Sequence, residues 1–183
     1  MPLKQRFHPT VHPKKKPVLW ALLFCLYPYW LQAHAGQTEP AVSVDGKVLP
    51  YIVFAAGDIA DCRKTTVSKS RAAETAELIR SHSETLPDFT VLMLGDATYP
   101  LGLPGEYAYC YEPTWGRFKK RTRPTPGNHE YYSPLAYGYH RYYRKQAGSQ
   151  EKPYYSFERG NWHIVSLDSN LTGDAFQRQL KWL

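Results

Sequence analysis

The chain has 183 residues, of which 43% are hydrophobic and 21% charged, and its formal net charge is +7 at pH 7. These proportions are close to globular averages, so they exclude a disordered chain and a fibrous repeat. The length suits one domain, and no run reaches the roughly 20 apolar residues of a confident membrane span.

The first 35 residues have the pattern of a secretory signal. Lys14-Lys15-Lys16 precede an apolar run from Val18 to Leu31, and Ala33-His34-Ala35 follows as a small-x-small cleavage site. The alternative is an uncleaved anchor or a buried helix, against which Pro28 and the short run argue. We expect cleavage after Ala35, a secreted or periplasmic protein, and no stable membrane anchor after cleavage.

The positive charge belongs mainly to this first segment. Residues 1–35 hold five basic side chains and no acidic one, so the remainder of the chain is nearly neutral. Specific nucleic-acid binding is therefore not expected.

After a polar lead-in over residues 36–49, the pattern predicts a strand, a helix and a second strand. The apolar runs Tyr51–Ala56 and Phe89–Leu94 indicate buried strands, and Ser68–Leu86 indicates a helix that ends before Pro87. The apolar residues on one face of this helix are Ala72, Ala76 and Ile79. This order predicts a βαβ unit with a parallel sheet.

The second half of the chain is predicted as a loop, a helix, a hairpin and a last helix. Residues 97–127 are rich in proline and indicate a loop, and Ser133–Ala147 indicates a helix. Tyr154–Glu158 and Trp162–Leu167 flank Gly160-Asn161, which predicts a hairpin. The last helix has Thr172 as its expected cap and an apolar face of Phe176, Leu180 and Leu183.

The cysteines outside the signal form an even pair. In an exported protein, Cys62 and Cys110 favour a disulfide. Two free thiols or two metal ligands are the alternatives, although the C-x-x-C spacing of a zinc site is missing.

Polar residues follow both predicted strands at once. Gly57-Asp58 comes after the first strand and Gly95-Asp96 after the second. Carboxyl ends of parallel strands share one sheet edge, so Asp58 and Asp96 are expected side by side. Adjacent carboxylates repel unless a cation or a shared proton relieves them, so a metal site and two ordinary turns are equal alternatives here.

A third loop supplies further ligand types. Asn128, His129 and Glu130 follow Pro126-Gly127 and place an amide oxygen, an imidazole and a carboxylate together. These donors suit hard or borderline metals, and His extends the range to Fe, Zn and Mn. Glu130 is expected to orient the His129 ring as a second-shell carboxylate. The alternative is a turn that merely links two elements.

Together the three loops resemble the calcineurin-like metallophosphoesterases. The motifs are Gly57-Asp58, Gly95-Asp96-Ala97-Thr98-Tyr99 and Gly127-Asn128-His129-Glu130, in that order. The tyrosine three residues after the second Asp is similar to the purple-acid-phosphatase-like branch, and the likeness extends from about Tyr51 to Leu183. The resemblance implies an α/β fold, with residues 50–183 as the N-terminal half of a four-layer αββα sandwich whose mostly parallel sheet is flanked by helices.

The resemblance also implies a role for each motif residue. Asp58 would bind a first metal, Fe(III); Asp96 would bridge both metals, and Tyr99 would ligate the ferric ion. Asn128 would bind the second metal, which is Fe, Zn or Mn in this branch, and His129 would lie near the phosphate. Such a dinuclear centre hydrolyses a phosphoester substrate through a metal-bound hydroxide.

The chain departs from the family at its histidines. Members supply three more ligands from V-x-x-H and G-H-x-H segments, and neither segment occurs here. The histidines beyond residue 35 other than His129 are His82, His140 and His163, which we interpret as structural or surface residues. With an amphipathic pattern still running at Leu183, we expect a domain truncated at the C-terminus that is inactive by itself.

Other polar side chains are weaker candidates. Asp61 is interpreted as a loop or helix cap. Asp168 and Asn170 end a strand, and a position at the edge of the site is their less favoured interpretation. The tyrosines near the motifs are expected to form either a substrate wall or a solvated loop: Tyr107, Tyr109, Tyr111, Tyr131 and Tyr132. The basic run near the third motif is expected either to attract phosphate or to be solvated: Lys119, Lys120, Arg121 and Arg123.

Hydrolysis of phosphomonoesters is the function that the sequence favours. Phosphodiester hydrolysis on the same site is one alternative, and a non-catalytic remnant without the C-terminal histidine ligands is another. A surface interaction module that uses the tyrosine-rich loops has only composition to support it.

Overall fold

The computed structural model describes residues 43–44, 47–48, 50–63 and 66–183. The predicted signal at residues 1–35, and with it the expected export, lies outside these ranges, as does most of the lead-in. The described residues form a mixed α/β structure in which a parallel sheet is flanked by helices. None of the helices in these ranges is long and apolar enough to cross a membrane.

The strands and helices are numbered in chain order. The strands are β1 (Ser43–Val44), β2 (Lys47–Val48), β3 (Ile52–Ala56), β4 (Ala60–Asp61), β5 (Phe89–Leu94), β6 (Thr98–Tyr99), β7 (Thr122–Thr125), β8 (Tyr155–Arg159) and β9 (Trp162–Ser166). The α-helices are α1 (Arg71–Ser83), α2 (Pro104–Glu106), α3 (Tyr137–Tyr143) and α4 (Gly173–Trp182). Short 3-10 and π segments connect several of them.

The central sheet is three-stranded and parallel, in the order β3-β5-β7. Ile52 pairs with Phe89 and Ala56 with Met93, so β3, α1 and β5 form the predicted βαβ unit. Strand β7 adds to the other side of β5, with Val91 opposite Thr122. This third strand lies within the region predicted as a loop, because Pro124 and the polar residues around it hide the strand pattern.

One face of the sheet carries the hydrophobic core. Phe54, Phe89 and Val91 point to this face, and Phe89 meets the ring of Phe118 at 6.3 Å. The predicted apolar face of α1, formed by Ala72, Ala76 and Ile79, is buried in the same core. Ser70 caps α1, since its side chain accepts a hydrogen bond from the backbone N–H of Ala73 at 3.2 Å.

The helix predicted over Ser133–Ala147 is confirmed only in its centre. Helix α3 covers Tyr137–Tyr143, and residues with positive φ interrupt the helical path on both sides, including Ala136 and Arg144. A close backbone contact accompanies the break: a Cβ on Gly138 would lie 1.9 Å from the carbonyl oxygen of Gly102. The chain bends where it approaches this carbonyl. The spacing of apolar residues does not predict such a bend.

The predicted hairpin is confirmed, and the last helix differs in its details. Strands β8 and β9 pair antiparallel around Gly160-Asn161. Helix α4 follows Thr172, but the Thr172 side chain makes no capping hydrogen bond, and only its carbonyl accepts from Phe176 N. The predicted apolar face of α4 is exposed in the described residues: Phe176 is 38%, Leu180 48% and Leu183 65% exposed.

The opposite face of the central sheet is largely open. Val53 on β3 is 39% exposed and Leu94 on β5 is 58% exposed. Thr90 is the buried exception, because Tyr51 and Arg159 both bond its hydroxyl. Parallel sheets are normally covered on both faces, so this apolar face is unusual among the described residues.

Candidate metal centre

The three motif loops leave one edge of the central sheet. Gly57-Asp58 follows β3, Gly95-Asp96 follows β5, and Pro126-Gly127 follows β7. Because the three strands are parallel, their carboxyl ends lie together, and ligand sites of open α/β sheets form at this edge. The short strands β4 and β6 then continue in parallel beyond the edge, with Asp61 opposite Tyr99.

Backbone hydrogen bonds hold the first two loops against each other. The N–H of Asp58 donates to Gly95 O at 3.2 Å, and the N–H of Ile59 donates to Asp96 O at 3.0 Å. Asp58 and Asp96 both adopt left-handed backbone conformations, with φ values of 53° and 51°. Such residues are uncommon when they carry a side chain and concentrate at functional sites.

The side chain of Tyr99 joins the two aspartates. Its hydroxyl donates to Asp58 Oδ1 and lies 3.0 Å from Asp96 Oδ2. Burial, followed by the hydrogen bonds to these two carboxylates, raises the pKa of the Tyr99 phenol well above its usual value. Three oxygen donors named by the sequence analysis therefore converge on one point.

The third loop packs directly on Asp96. The backbone N–H of His129 donates to Asp96 Oδ1 at 2.9 Å, and a Cβ on Gly127 would lie 2.2 Å from the same oxygen. Only glycine permits this approach. The imidazole of His129 lies 4.2 Å from the Tyr99 ring, centroid to centroid.

The ring of His129 is oriented by a backbone carbonyl. Its Nδ1 lies 2.7 Å from Pro100 O, and because a carbonyl can only accept, this nitrogen carries the proton. The other nitrogen, Nε2, is left as the acceptor of the neutral ring. Glu130, which was expected to orient this ring, contacts other groups.

Glu130 links the second and third loops through their backbones. Its carboxylate is fully buried and accepts hydrogen bonds from the N–H groups of Asp96 at 2.9 Å, Ala97 at 2.9 Å and Gly127 at 2.7 Å. Tyr107 adds its hydroxyl at 3.1 Å. Burial raises the pKa of Glu130, and these donors oppose the shift because they stabilise the charged carboxylate.

Asn128 lies in the loop that contacts Asp96. Its side chain is exposed, and its Nδ2 lies 3.4 Å from the hydroxyl of Tyr132. Tyr132 also meets the His129 ring at 4.7 Å, so this tyrosine borders the loop.

The donor chemistry fits a hard or borderline metal ion. Two carboxylates and a phenol oxygen meet at Tyr99, and oxygen-rich sets of this type suit trivalent iron and divalent manganese better than soft metals. Within the ranges that the structure describes, no group of three or more His, Cys, Asp or Glu residues is placed to hold a metal. A metal site here would therefore also need Tyr99 and Asn128 as ligands, and these two residues are outside the four types counted.

Asp168 supports the third loop through hydrogen bonds to Tyr131 and Asn170. Its buried carboxylate accepts from the Tyr131 hydroxyl and from Asn170 N at 2.9 Å. Asn170 also reaches Pro126 O at 3.5 Å. Asp61 instead binds Arg63, with its Oδ1 2.8 Å from Nε.

The tyrosines do not form one substrate wall. Tyr107 and Tyr111 are buried in the core, where Tyr111 accepts a hydrogen bond from the Tyr143 hydroxyl at 2.7 Å. Tyr109 is 77% exposed, and Tyr131 is half-buried against Asp168. Tyr107, Tyr109 and Tyr111 share the π segment Tyr107–Tyr111, in which Tyr107 and Tyr111 are the buried residues.

The basic run lies at the far end of β7. Arg121 pairs with Asp88, and both Arg121 and Arg123 lie over phenylalanine rings at 4.5 and 5.2 Å. Since β7 runs from Thr122 toward the motif loop, these cations flank its beginning rather than the candidate centre.

A disulfide between Cys62 and Cys110 is present, which confirms the favoured interpretation of the pair. It connects the turn after β4 to the π segment, with 5.7 Å between the two Cα atoms. The first motif loop is thereby tied to the core tyrosines.

Three supporting contacts were not predicted from the sequence, although Tyr107 was a candidate for a substrate wall. The carbonyl of Pro100 holds His129, Tyr107 supports Glu130, and Glu106 accepts from the N–H groups of Leu101 and Leu103. Pro104 followed by Glu106 is a helix-start signal that predicts this last contact. The other two depend on long-range packing.

No protein-family model, no curated protein and no solved structure matches this chain. The candidate centre therefore stands on its own residues and geometry.

Proposed function

We propose that the protein is a metal-dependent phosphoesterase of the calcineurin-like, purple-acid-phosphatase-like type, acting on phosphomonoesters. The observation that carries the proposal is the convergence of Asp58, Asp96 and Tyr99 at the carboxyl edge of a parallel sheet. Asp58 and Tyr99 would hold Fe(III), Asp96 would bridge, and Asn128 would bind a second ion of Fe, Zn or Mn. When bound, such ions polarise phosphoryl oxygens and activate water for attack at phosphorus.

The side chain of His129 would act on the substrate. Because Nδ1 is engaged by Pro100 O, Nε2 is the nitrogen that can donate to a phosphoryl or leaving-group oxygen once protonated. Glu130 would keep the loop of His129 in register with Asp96 through its backbone contacts.

The same proposal includes the four-layer sandwich architecture. A second sheet and its helices over the open face of β3 and β5 would complete a four-layer αββα sandwich. Support comes from the exposure of Val53 and Leu94, since a parallel sheet is usually covered on both sides.

A non-catalytic domain with one weak metal site is the second candidate. It is favoured by the absence of a three-residue His, Cys, Asp or Glu group among the residues that the structure describes. For the same reason, and because no V-x-x-H or G-H-x-H segment is present, we expect little turnover from residues 36–183 alone.

Hydrolysis of an aryl phosphate by the protein isolated from its natural source separates the two candidates. We expect activity that a chelator removes and that Asp96→Asn, introduced in the natural gene, abolishes. Asp174→Asn on the exposed side of α4 is the matched control and should retain activity. A bis-aryl phosphodiester assayed in parallel distinguishes the two ester classes. Natural protein without metal-dependent hydrolysis of either ester would favour the non-catalytic domain.

A further inference from the structure

Tyr132 is an aromatic residue beside the candidate metal centre to which the proposed function assigns no role. It lies four residues after Asn128, and a turn of 3-10 helix over Glu130–Tyr132 connects the two. The backbone N–H of Tyr131 donates to Asn128 O at 3.1 Å, and that of Tyr132 donates to His129 O at 3.3 Å. This turn brings the side chain of Tyr132 back to the first residues of the third loop, where it contacts both Asn128 and His129.

The ring of Tyr132 packs on an imidazole that is itself fixed. Nδ1 of His129 is bonded to Pro100 O at 2.7 Å, and the His129 backbone N–H donates to Asp96 Oδ1 at 2.9 Å. The Tyr132 ring meets this imidazole edge to face, with 4.7 Å between the centroids. Aromatic rings attract each other in this geometry beyond the area that they bury. Tyr132 is therefore held in place through His129, although 58% of the residue is exposed.

The hydroxyl of Tyr132 defines one orientation of the Asn128 amide. Nδ2 of Asn128 donates to this hydroxyl at 3.4 Å. An amide nitrogen carries two hydrogens and cannot accept, whereas the amide oxygen is the atom that binds a cation. With Nδ2 directed to Tyr132, Oδ1 is the Asn128 atom that can face a cation.

An asparagine ligand depends on such a partner more than an aspartate does. Rotation of a carboxylate by half a turn exchanges two equivalent oxygens, but the same rotation of an amide puts two N–H hydrogens where the oxygen was. The Asn128 side chain is exposed, so the packing around it does not prevent this rotation. Residues that orient metal ligands typically change metal affinity by about 10–100-fold when they are substituted.

We propose that Tyr132 is a positioning residue whose hydroxyl holds the Asn128 amide with Oδ1 available to the second metal ion of the proposed centre. The inference rests on the proposed function, because that function supplies the second ion. The role requires the hydroxyl, whereas the ring keeps the side chain on His129.

Titration of the natural protein with Mn(II), after loading with Fe(III), tests the proposal when the EPR signal of free Mn(II) is followed. Tyr132→Phe should weaken Mn(II) binding about tenfold, because it removes the hydroxyl and keeps the ring on His129. The phenolate-to-iron absorption of Tyr99 should persist in this variant, since Asn128 is not a ligand of the first ion in the proposed centre. Tyr109→Phe, at a tyrosine that is 77% exposed, is the matched control and should bind Mn(II) like the wild type.

A second background makes the test specific to the orientation of the amide. Asn128→Asp presents an oxygen to the ion in either rotamer, so Tyr132→Phe should change its Mn(II) affinity less than about twofold. A tenfold loss in both backgrounds would show that the hydroxyl does not act by orienting the amide, and would overturn the proposal.

The remaining outcomes separate this inference from the proposed function. A wild type that binds no Mn(II) would contradict the dinuclear centre and, with it, the role of Tyr132. Equal Mn(II) affinity in the wild type and in Tyr132→Phe would overturn the positioning role alone. Loss of the iron band in Tyr132→Phe would also overturn it, because the substitution would then have damaged the whole centre.

Discussion

Asp58 and Asp96 hold backbone conformations that stability alone does not favour. Their φ values of 53° and 51° cost each residue about 1–2 kcal/mol relative to a right-handed conformation. The conformations accompany carboxylates that both face the Tyr99 hydroxyl. At the scale of single residues, this strained arrangement brings two carboxylates together, which supports the proposed cation site.

Substitution of Asp58 separates the backbone strain from the carboxylate. The free energy of unfolding should be about 1 kcal/mol higher for Asp58→Gly than for Asp58→Ala, because glycine adopts a positive φ without steric penalty. Both variants lose the contact to Tyr99, so their difference isolates the backbone. Urea denaturation measures it, and an alanine variant as stable as the glycine variant would contradict the assigned strain.

At the scale of elements, cross-links and buried polar groups fix the loops. The disulfide closes a sequence separation of 48 residues. In the chain-entropy model, a loop of that size contributes about 4 kcal/mol. Glu130 accepts four hydrogen bonds: two from the second loop, one from Gly127 within the third loop and one from Tyr107. The candidate centre therefore sits on elements that are held together without a metal.

Helix α3 contains a histidine that should make stability depend on pH. Burial lowers the pKa of His140, with the Asp168 carboxylate opposing the shift, and its Nε2 has no hydrogen-bond partner among the described residues. A depressed pKa means that the neutral ring supports the fold above the ordinary value of 6.5. This stability is lost as pH falls through the lower folded value.

His140→Gln should therefore lose less stability than the wild type when the pH falls from neutral to acid. Unfolding midpoints measured across this pH range provide the check. His82→Gln, at an exposed position of α1, is the matched control and should follow the wild type. A pH dependence that is the same with and without His140 would rule out this histidine as its source.

At the scale of the whole molecule, the described sheet has one packed face and one open face. Val91 is 0% exposed within the core, whereas Val53 on the neighbouring strand is 39% exposed. Alternation along the strands separates the two sets of side chains. Most of the burial energy of the sheet is therefore confined to one side.

The two faces predict different costs for the same substitution. Val91→Ala should lower the free energy of unfolding by about 2 kcal/mol, since it removes fully buried methyl groups. Val53→Ala should cost less than about 0.5 kcal/mol in this chain, as surface substitutions usually do. Chemical denaturation compares the two directly. Equal costs would show that the open face is covered in solution.

Much of this architecture is predictable from local sequence patterns. Apolar runs predicted β3, β5 and the hairpin, and the Gly-Asp pairs marked the ends of two strands that lie side by side. Strand β7 was missed because Thr122–Thr125 contains a proline and few apolar residues. Its place depends on pairing with Val91–Leu94, a long-range contact that no short pattern records.

For the candidate site, the sequence predicted which residues come together better than it predicted the contacts that each of them makes. The family resemblance predicted that Asp96 and Tyr99 act as ligands of one centre, and the two side chains do meet. Glu130 was predicted to face His129 because the two are adjacent in sequence, yet its carboxylate turns to three backbone N–H groups. Burial favours that arrangement because it satisfies donors that would otherwise be unpaired.

Visible absorption of the Fe(III)-loaded protein tests most directly the proposal that Asp58, Asp96 and Tyr99 together hold a metal ion. We predict a phenolate-to-iron band that disappears in Tyr99→Phe and persists in Tyr109→Phe, whose side chain is 77% exposed. The absence of a band in the wild type, or a band that survives Tyr99→Phe, would contradict the assignment.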